Sequence, residues 1–127
     1  MTFALGQRSK DRLNGVHPDL VKVIEEAIKE SPLDFSVTEG LRTKERQKVL
    51  FDAGKSQTMN SRHITGNAVD IAVIREGEVT WDAKYYIPVI EHIKKIAKSM
   101  DIAIVSGGDW ITFKDYPHIE LHRSAYP

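Results

Sequence analysis

Residues 68–74 are rich in strand formers and, up to Val73, alternate between two kinds of side chain. Val69, Ile71 and Val73 fall on one side, and Ala68, Asp70 and Ala72 on the other. Successive side chains of a strand point to opposite faces, so the segment reads as a strand with one apolar face that must be covered. The opposite face carries a carboxylate between two small alanines, which leaves room for something to approach it. A chain holding this strand needs a sheet with a core on one side, and its other face is open to approach at Asp70.

The flanking segments supply the cover. His17-Pro18-Asp19 opens a helix, since proline is tolerated in a first turn and Asp19 suits the positive end of the dipole. Leu20, Ile24, Ala27 and Ile28 form one apolar stripe along it, and Pro32 closes it. Residues 35–38 read as a short strand and Glu39-Gly40 as a turn. Thr43 suits the N-cap of a helix running to about Ala53, with Gly54 as the stop. Residues 55–65 are polar and read as loop. Arg75-Glu76-Gly77-Glu78 is a hairpin turn that returns through residues 79–81. A last helix is expected over residues 86–100, with Ile90, Ile93, Ala97 and Met100 on one side and Pro88 in its first turn, because an interior proline breaks the hydrogen-bond ladder. Residues 102–105 read as a buried strand, Ser106-Gly107-Gly108-Asp109 as a loop, and residues 111–113 and 116–121 as a final hairpin. Helices early and late around hairpin-connected strands predict an α+β fold: a single domain over residues 1–127, mainly antiparallel sheet with flanking helices.

Composition narrows the function. The 127 residues suffice for one core, and eighteen basic residues balance eighteen acidic ones. A neutral chain is a poor partner for nucleic acid or an anionic membrane. No apolar run approaches a membrane span, and residues 1–13 lack the apolar segment of a secretory signal, so synthesis in a cytoplasm without standard export is expected. There is no cysteine, so any metal must be held by nitrogen and oxygen.

Two blocks carry such donors: Ser61-Arg62-His63-Ile64-Thr65-Gly66-Asn67-Ala68-Val69-Asp70 and Asp115-Tyr116-Pro117-His118-Ile119-Glu120. Zinc accepts imidazole nitrogen and carboxylate oxygen, and a catalytic zinc keeps three protein ligands and one open position. His63 and Asp70 are too far apart for a helical pair and need a loop-to-strand arrangement, with Gly66 letting the chain turn; His118 would reach them from a neighbouring strand. The competing reading is plain. In a regular strand His118, Glu120 and His122 share one face and Ile119 and Leu121 the other, as they would on a solvated face with incidental histidines. Spacing leaves both readings open. Glu120 reads as an alternative base or as a partner of a ligand histidine, and Ser61 as a hydroxyl near the metal or merely in a loop. Arg42 taken alone is a helix-start cation. His122 is expected to be exposed, His17 structural and His92 on the solvated side of the last helix. Trp81 and Trp110 suit core or rim, with a groove as the alternative for Trp110. Ser99, Ser106 and Ser124 lack an evident His/Asp arrangement, so nucleophilic catalysis has little support.

The first block matches S-x-H-x-x-G-x-A-x-D at every fixed position, and Asp115 to His118 matches an acid-x-x-His element. Together they make the chain resemble the D-alanyl-D-alanine carboxypeptidase-like zinc peptidases. Leu13-Asn14-Gly15-Val16-His17-Pro18-Asp19-Leu20 and Gly107-Gly108-Asp109-Trp110 are similar to the branch of phage L-alanyl-D-glutamate endopeptidases, small endolysins. The resemblance covers nearly the whole chain. It implies zinc held by His63, Asp70 and His118 on the sheet face, Asp115 as catalytic acid/base, and Arg42 binding and polarising the scissile carbonyl. Leu41 stands where an aromatic often precedes that arginine. The implied substrate is the peptidoglycan stem peptide, cut by a monomer with no separate cell-wall-binding domain. An enzyme made in a host cytoplasm would need a separate holin to reach the wall. The alternatives are a D-alanyl-D-alanine carboxypeptidase or dipeptidase on the same site, and a non-catalytic zinc-binding recognition module.

Overall fold

In the computed structural model, which describes residues 3–56, 61–110 and 114–127, the long strand is the centre of a five-stranded antiparallel sheet. The described chain begins with two helices, α1 (Gln7–Arg12) and α2 (Pro18–Lys29). Then come β1 (Asp34–Glu39), α3 (Lys44–Asp52), β2 (Ala68–Arg75), β3 (Glu78–Thr80), α4 (Ala83–Ser99), β4 (Ile104–Ser106), a 3-10 turn (Gly107–Asp109) and β5 (His118–Leu121). The sheet order is β1-β2-β5-β4, with β3 paired to the far end of β2. β1 takes one side of β2. β5 pairs with its first half and β3 with its last residues on the other side.

The alternation in β2 sorts as its composition demands. Val69, Ile71 and Val73 join Val37, Phe35, Ile119 and Leu121 in the core, beneath Leu20, Val23, Ile24 and Ala27 of α2 and Val89, Ile93 and Ala97 of α4. Burying such side chains contributes roughly 1.5–3 kcal/mol each before chain entropy is subtracted. Tyr86 is buried, and its hydroxyl donates to Thr80 O at 2.7 Å while accepting from Val73 N at 3.2 Å, pinning α4 to the β2–β3 hairpin. Glu76 and Gly77 both have positive φ, 53° and 80°, as a tight two-residue hairpin turn requires.

Four expectations change. The strand read as buried over residues 102–105 is β4, Ile104–Ser106, and only Ser106 of it is buried, because β4 lies at the edge of the sheet. The last helix starts at Ala83, three residues early, because Asp82 caps it by accepting from Lys84 N at 3.2 Å. Pro88 therefore lies inside the helix, past its first turn. The ladder bond that Pro88 cannot donate is the one to Lys84 O, so the helix lacks one interior backbone bond there. The short helix α1 was not anticipated, since six residues show too little periodicity. It guards the outer edge of β1: Ser9 Oγ accepts from Val37 N at 2.9 Å, and Arg12 Nη1 donates to Val37 O at 3.0 Å. The final strand pairs with β4 and β2, and the anticipated partner at residues 111–113 lies outside the described residues. No described helix is long and apolar enough to cross a membrane.

Candidate metal centre and cleft

Register builds the site. Glu39 of β1 pairs with Asp70 of β2, and Asp70 pairs with His118 of β5, so three polar side chains stand in a row across adjacent strands on the face away from the core. His63 reaches the row from the loop before β2. That loop is fixed by Arg42 N donating to His63 O at 2.9 Å and by His17 N donating to Gly66 O at 2.8 Å. Gly66 has φ +76°, and a Cβ there would meet Gly15 O at 2.5 Å, so only glycine fits this turn.

Asp70 Oδ1 lies 3.2 Å from His63 Nε2 and 3.3 Å from His118 Nδ1. His63, Asp70 and His118 offer ligand atoms that all lie within 4.8 Å of one another, a group able to hold a metal ion. The remote ring nitrogens suit that use. His63 Nδ1 is 2.8 Å from Gly40 O, which only accepts, and His118 Nε2 is 2.9 Å from Glu120 Oε1. In the neutral rings each remote nitrogen carries the proton, and the lone pairs of His63 Nε2 and His118 Nδ1 are left facing Asp70.

Without an ion the charges balance among themselves. Burial disfavours the Asp70 carboxylate, but hydrogen bonds from His118 and His63 outweigh it and hold Asp70 well below the usual carboxylate range. Burial also opposes a charged His118, yet its bonds to Asp70 and Glu120 raise it to about 9. Asp115 moves the other way. Burial and the nearby Asp70 charge push it up, partly offset by His118, His63 and Arg42. Asp115 is half-buried, three residues before His118, and its carboxylate makes no hydrogen bond or ion pair among the described residues. Its backbone is set by Asp115 N donating to Gly107 O at 2.9 Å and His118 N donating to Asp115 O at 3.1 Å. A Cβ at residue 107 would lie 2.2 Å from Asp115 O, so the bare glycine lets this turn lie against β5.

Arg42 is buried and clamped. Its Nε and Nη2 each donate at 2.7 Å to the two carboxylate oxygens of Glu39, and its Nη1 donates at 2.7 Å to Gln47 Oε1. Nη2 also lies 3.8 Å from Asp70 Oδ2. A guanidinium has five N–H groups, so two make no hydrogen bond among the described residues. His63, Asp70, His118, Asp115 and Arg42 all line one cleft of about 250 Å³, with Trp110, Lys55 and Ser61 on its walls. A larger depression of about 420 Å³, bordered by Phe3, Leu5 and Met100, lies away from these residues.

The solvated-face reading of β5 does not hold: all four of its residues are buried, and Glu120 bonds a histidine ring. His122 lies beyond the strand end and is exposed, as expected. His17 is structural, accepting from Asp19 N at 3.1 Å. His92 is corrected: it is half-buried, with Nε2 2.9 Å from Ala27 O, facing α2 rather than solvent. Trp81 is 65% exposed and is not a core residue, whereas Trp110 lines the cleft. Ser61 lines it too, and its Oγ accepts from His63 N at 3.2 Å. Glu39, Gln47 and the Gly40 carbonyl escaped the sequence reading. Only Glu39-Gly40 hinted at a role, by its closeness to Arg42.

The chain matches the family model described as phage L-alanyl-D-glutamate peptidase over residues 1–126. It is 33% identical to the L-alanyl-D-glutamate peptidase of Escherichia phage T5, covering 99% of this chain and 94% of that one. It is 32% identical to the peptidoglycan L-alanyl-D-glutamate endopeptidase CwlK of Bacillus subtilis, covering 84% and 73%. The crystal structure of the Serratia marcescens L-Ala D-Glu endopeptidase ChiX superposes with a TM-score of 0.90 at 45% identity, covering 95% of this chain and 91% of that one.

Proposed function

Because the chain belongs to the family of phage L-alanyl-D-glutamate peptidases, we propose that its cleft hydrolyses the L-alanyl-D-glutamate bond of the peptidoglycan stem peptide as a zinc-dependent endopeptidase. The observation that carries the reading is Asp115, a carboxylate with no hydrogen bond or ion pair among the described residues, in the same cleft as a three-residue metal-capable cluster. A recognition module that merely held an ion would have no use for it.

On this reading His63 Nε2, an oxygen of Asp70 and His118 Nδ1 hold the zinc, and the donor set of two nitrogens and one oxygen fits that metal. When bound, zinc supplies a water acidic enough to ionise near neutral pH and an electrophile for the peptide carbonyl. Asp115 takes the proton from the attacking water as its oxygen bonds to the carbonyl carbon. Asp115 then delivers that proton to the departing amide nitrogen as the C–N bond breaks, leaving a carboxylate and an amine. Its raised pKa suits a group that must both accept and return a proton. Arg42 offers its two uncommitted N–H groups to the carbonyl oxygen as negative charge develops there, and Glu39 and Gln47 hold it in place beforehand. The enzyme acts as a monomer at the wall, and in a phage setting a separate holin gives it access.

Mass spectrometry of digested muropeptides tests the bond choice. New N-terminal glutamate is expected. Released D-alanine would transfer the site to the carboxypeptidase reading.

A further inference from the structure

We infer that Glu120 is a positioning residue for His118, itself held by Arg62, and that this buried pair sets how tightly the site takes its metal. The inference rests on the metal reading above and not on which bond is cut.

Glu120 Oε1 lies 2.9 Å from His118 Nε2, and the two side chains are only 8% and 7% exposed. Beyond Glu120 stands Arg62, whose Nε is 3.6 Å from Glu120 Oε2 and is buried with no hydrogen-bond partner among the described residues. Arg62 Nη2 is anchored to the carbonyls of Leu121 and Tyr126. Arg123 also approaches Glu120, at 3.8 Å, but its side chain is 67% exposed and screened by solvent. The neighbours of Glu120 in register are Ala68 on β2 and Val105 on β4. Packing at that position does not call for a carboxylate, and a buried charge costs more than an apolar side chain of the same size. What the carboxylate does is accept from His118 Nε2. That bond keeps the proton off Nδ1 in the neutral ring and stops the ring turning over, so Nδ1 stays aimed at Asp70. Arg62, tied to the backbone, sets a buried positive charge beside the other oxygen of Glu120 and so favours its ionised form at this place. His63 receives the same service from the Gly40 carbonyl, so each candidate ligand ring is oriented from behind by a different acceptor.

The test compares Glu120→Gln and Glu120→Met with the parent chain. Zinc affinity is measured by chelator competition and fold by the melting of the metal-free protein. Glu120→Met should bind zinc about 10–100-fold more weakly while its metal-free form melts cooperatively. Glu120→Gln, which keeps an acceptor oxygen, should lose less. Zinc affinity within twofold of the parent in both variants overturns the inference, as does a larger loss in Gln than in Met. Were the Met variant unfolded, the Gln variant alone would decide: a measurable loss supports the inference and parental affinity refutes it. A parent chain that takes up no zinc overturns the metal reading and this inference together. A parent that takes up zinc in a Glu120-dependent way yet cuts no muropeptide leaves the inference standing and removes only the substrate reading.

Discussion

Asp70 and Asp115 are two carboxylates of one cleft pushed in opposite directions. Two histidines bond Asp70 and keep it ionised, while burial and the charge of Asp70 itself push Asp115 up. Such a divergence is what the proposed roles require, Asp70 as a ligand and Asp115 as an acid/base. Asp115→Asn should therefore lower turnover by roughly 10²–10⁴ while leaving zinc affinity within a few-fold, measured on purified muropeptides and by chelator competition. The second residue-scale prediction concerns protons. His118 is raised from 6.5 to about 9, so it contributes stability to the metal-free fold that is fully present below 6.5 and lost as pH rises through about 9. Asp70 is lowered, so its contribution is present above 3.8 and lost as pH falls. The metal-free protein should be most stable between those limits. A metal must displace the His118 proton, so zinc affinity should rise about tenfold per pH unit from near 7 to about 9 and then level off. Calorimetric titration in buffers of different ionisation enthalpy would count that proton. A flat profile would contradict the bonding described for His118.

Among the elements, β2 was the most legible, because an alternating strand declares both its faces. Its partners were less so: Glu39, Asp70 and His118 become neighbours only through the pairing of β1, β2 and β5, which no local pattern specifies. The start of α4 was misread because Pro88 invites a helix beginning just before it, while the true cap, Asp82, carries a weaker signal. The turn from Asp115 to His118 depends on closeness to Gly107 instead of periodicity. Gly107→Ala would place a methyl 2.2 Å from Asp115 O and 3.0 Å from His118 Cβ. Both neighbours are set by backbone, so the turn must move. Activity should fall at least tenfold, an estimate based on the cost of misplacing a catalytic group by about 1 Å. Gly77→Ala, at an open hairpin turn with no atom within 4 Å, should leave turnover near the parent value. A kinetic comparison of the two variants checks this.

For the whole molecule, α2 and α4 cover one face of the sheet and the cleft occupies the other, so the site can be changed without opening the core. Removing metal should then weaken the fold without abolishing it. With free zinc at about 100 times its dissociation constant, binding adds about 2.7 kcal/mol. For a chain of this size that corresponds to roughly 10 °C in melting temperature. Scanning calorimetry before and after chelation would show the difference, and zinc should restore both the transition and the activity. Read by itself, the sequence determined the inventory: no sulfur ligand, two blocks of nitrogen and oxygen donors, an alternating strand to carry one of them, and motifs specific enough to name a family. Those are properties of composition and local order. Tertiary structure alone decided which nitrogen of each histidine faces Asp70, that Glu39 and Gln47 clamp Arg42, and that Glu120 stands behind His118. Each of those depends on strand register and loop closure, which bring distant residues to hydrogen-bonding distance, and hydrogen bonds are too short-ranged to be read from spacing along the chain.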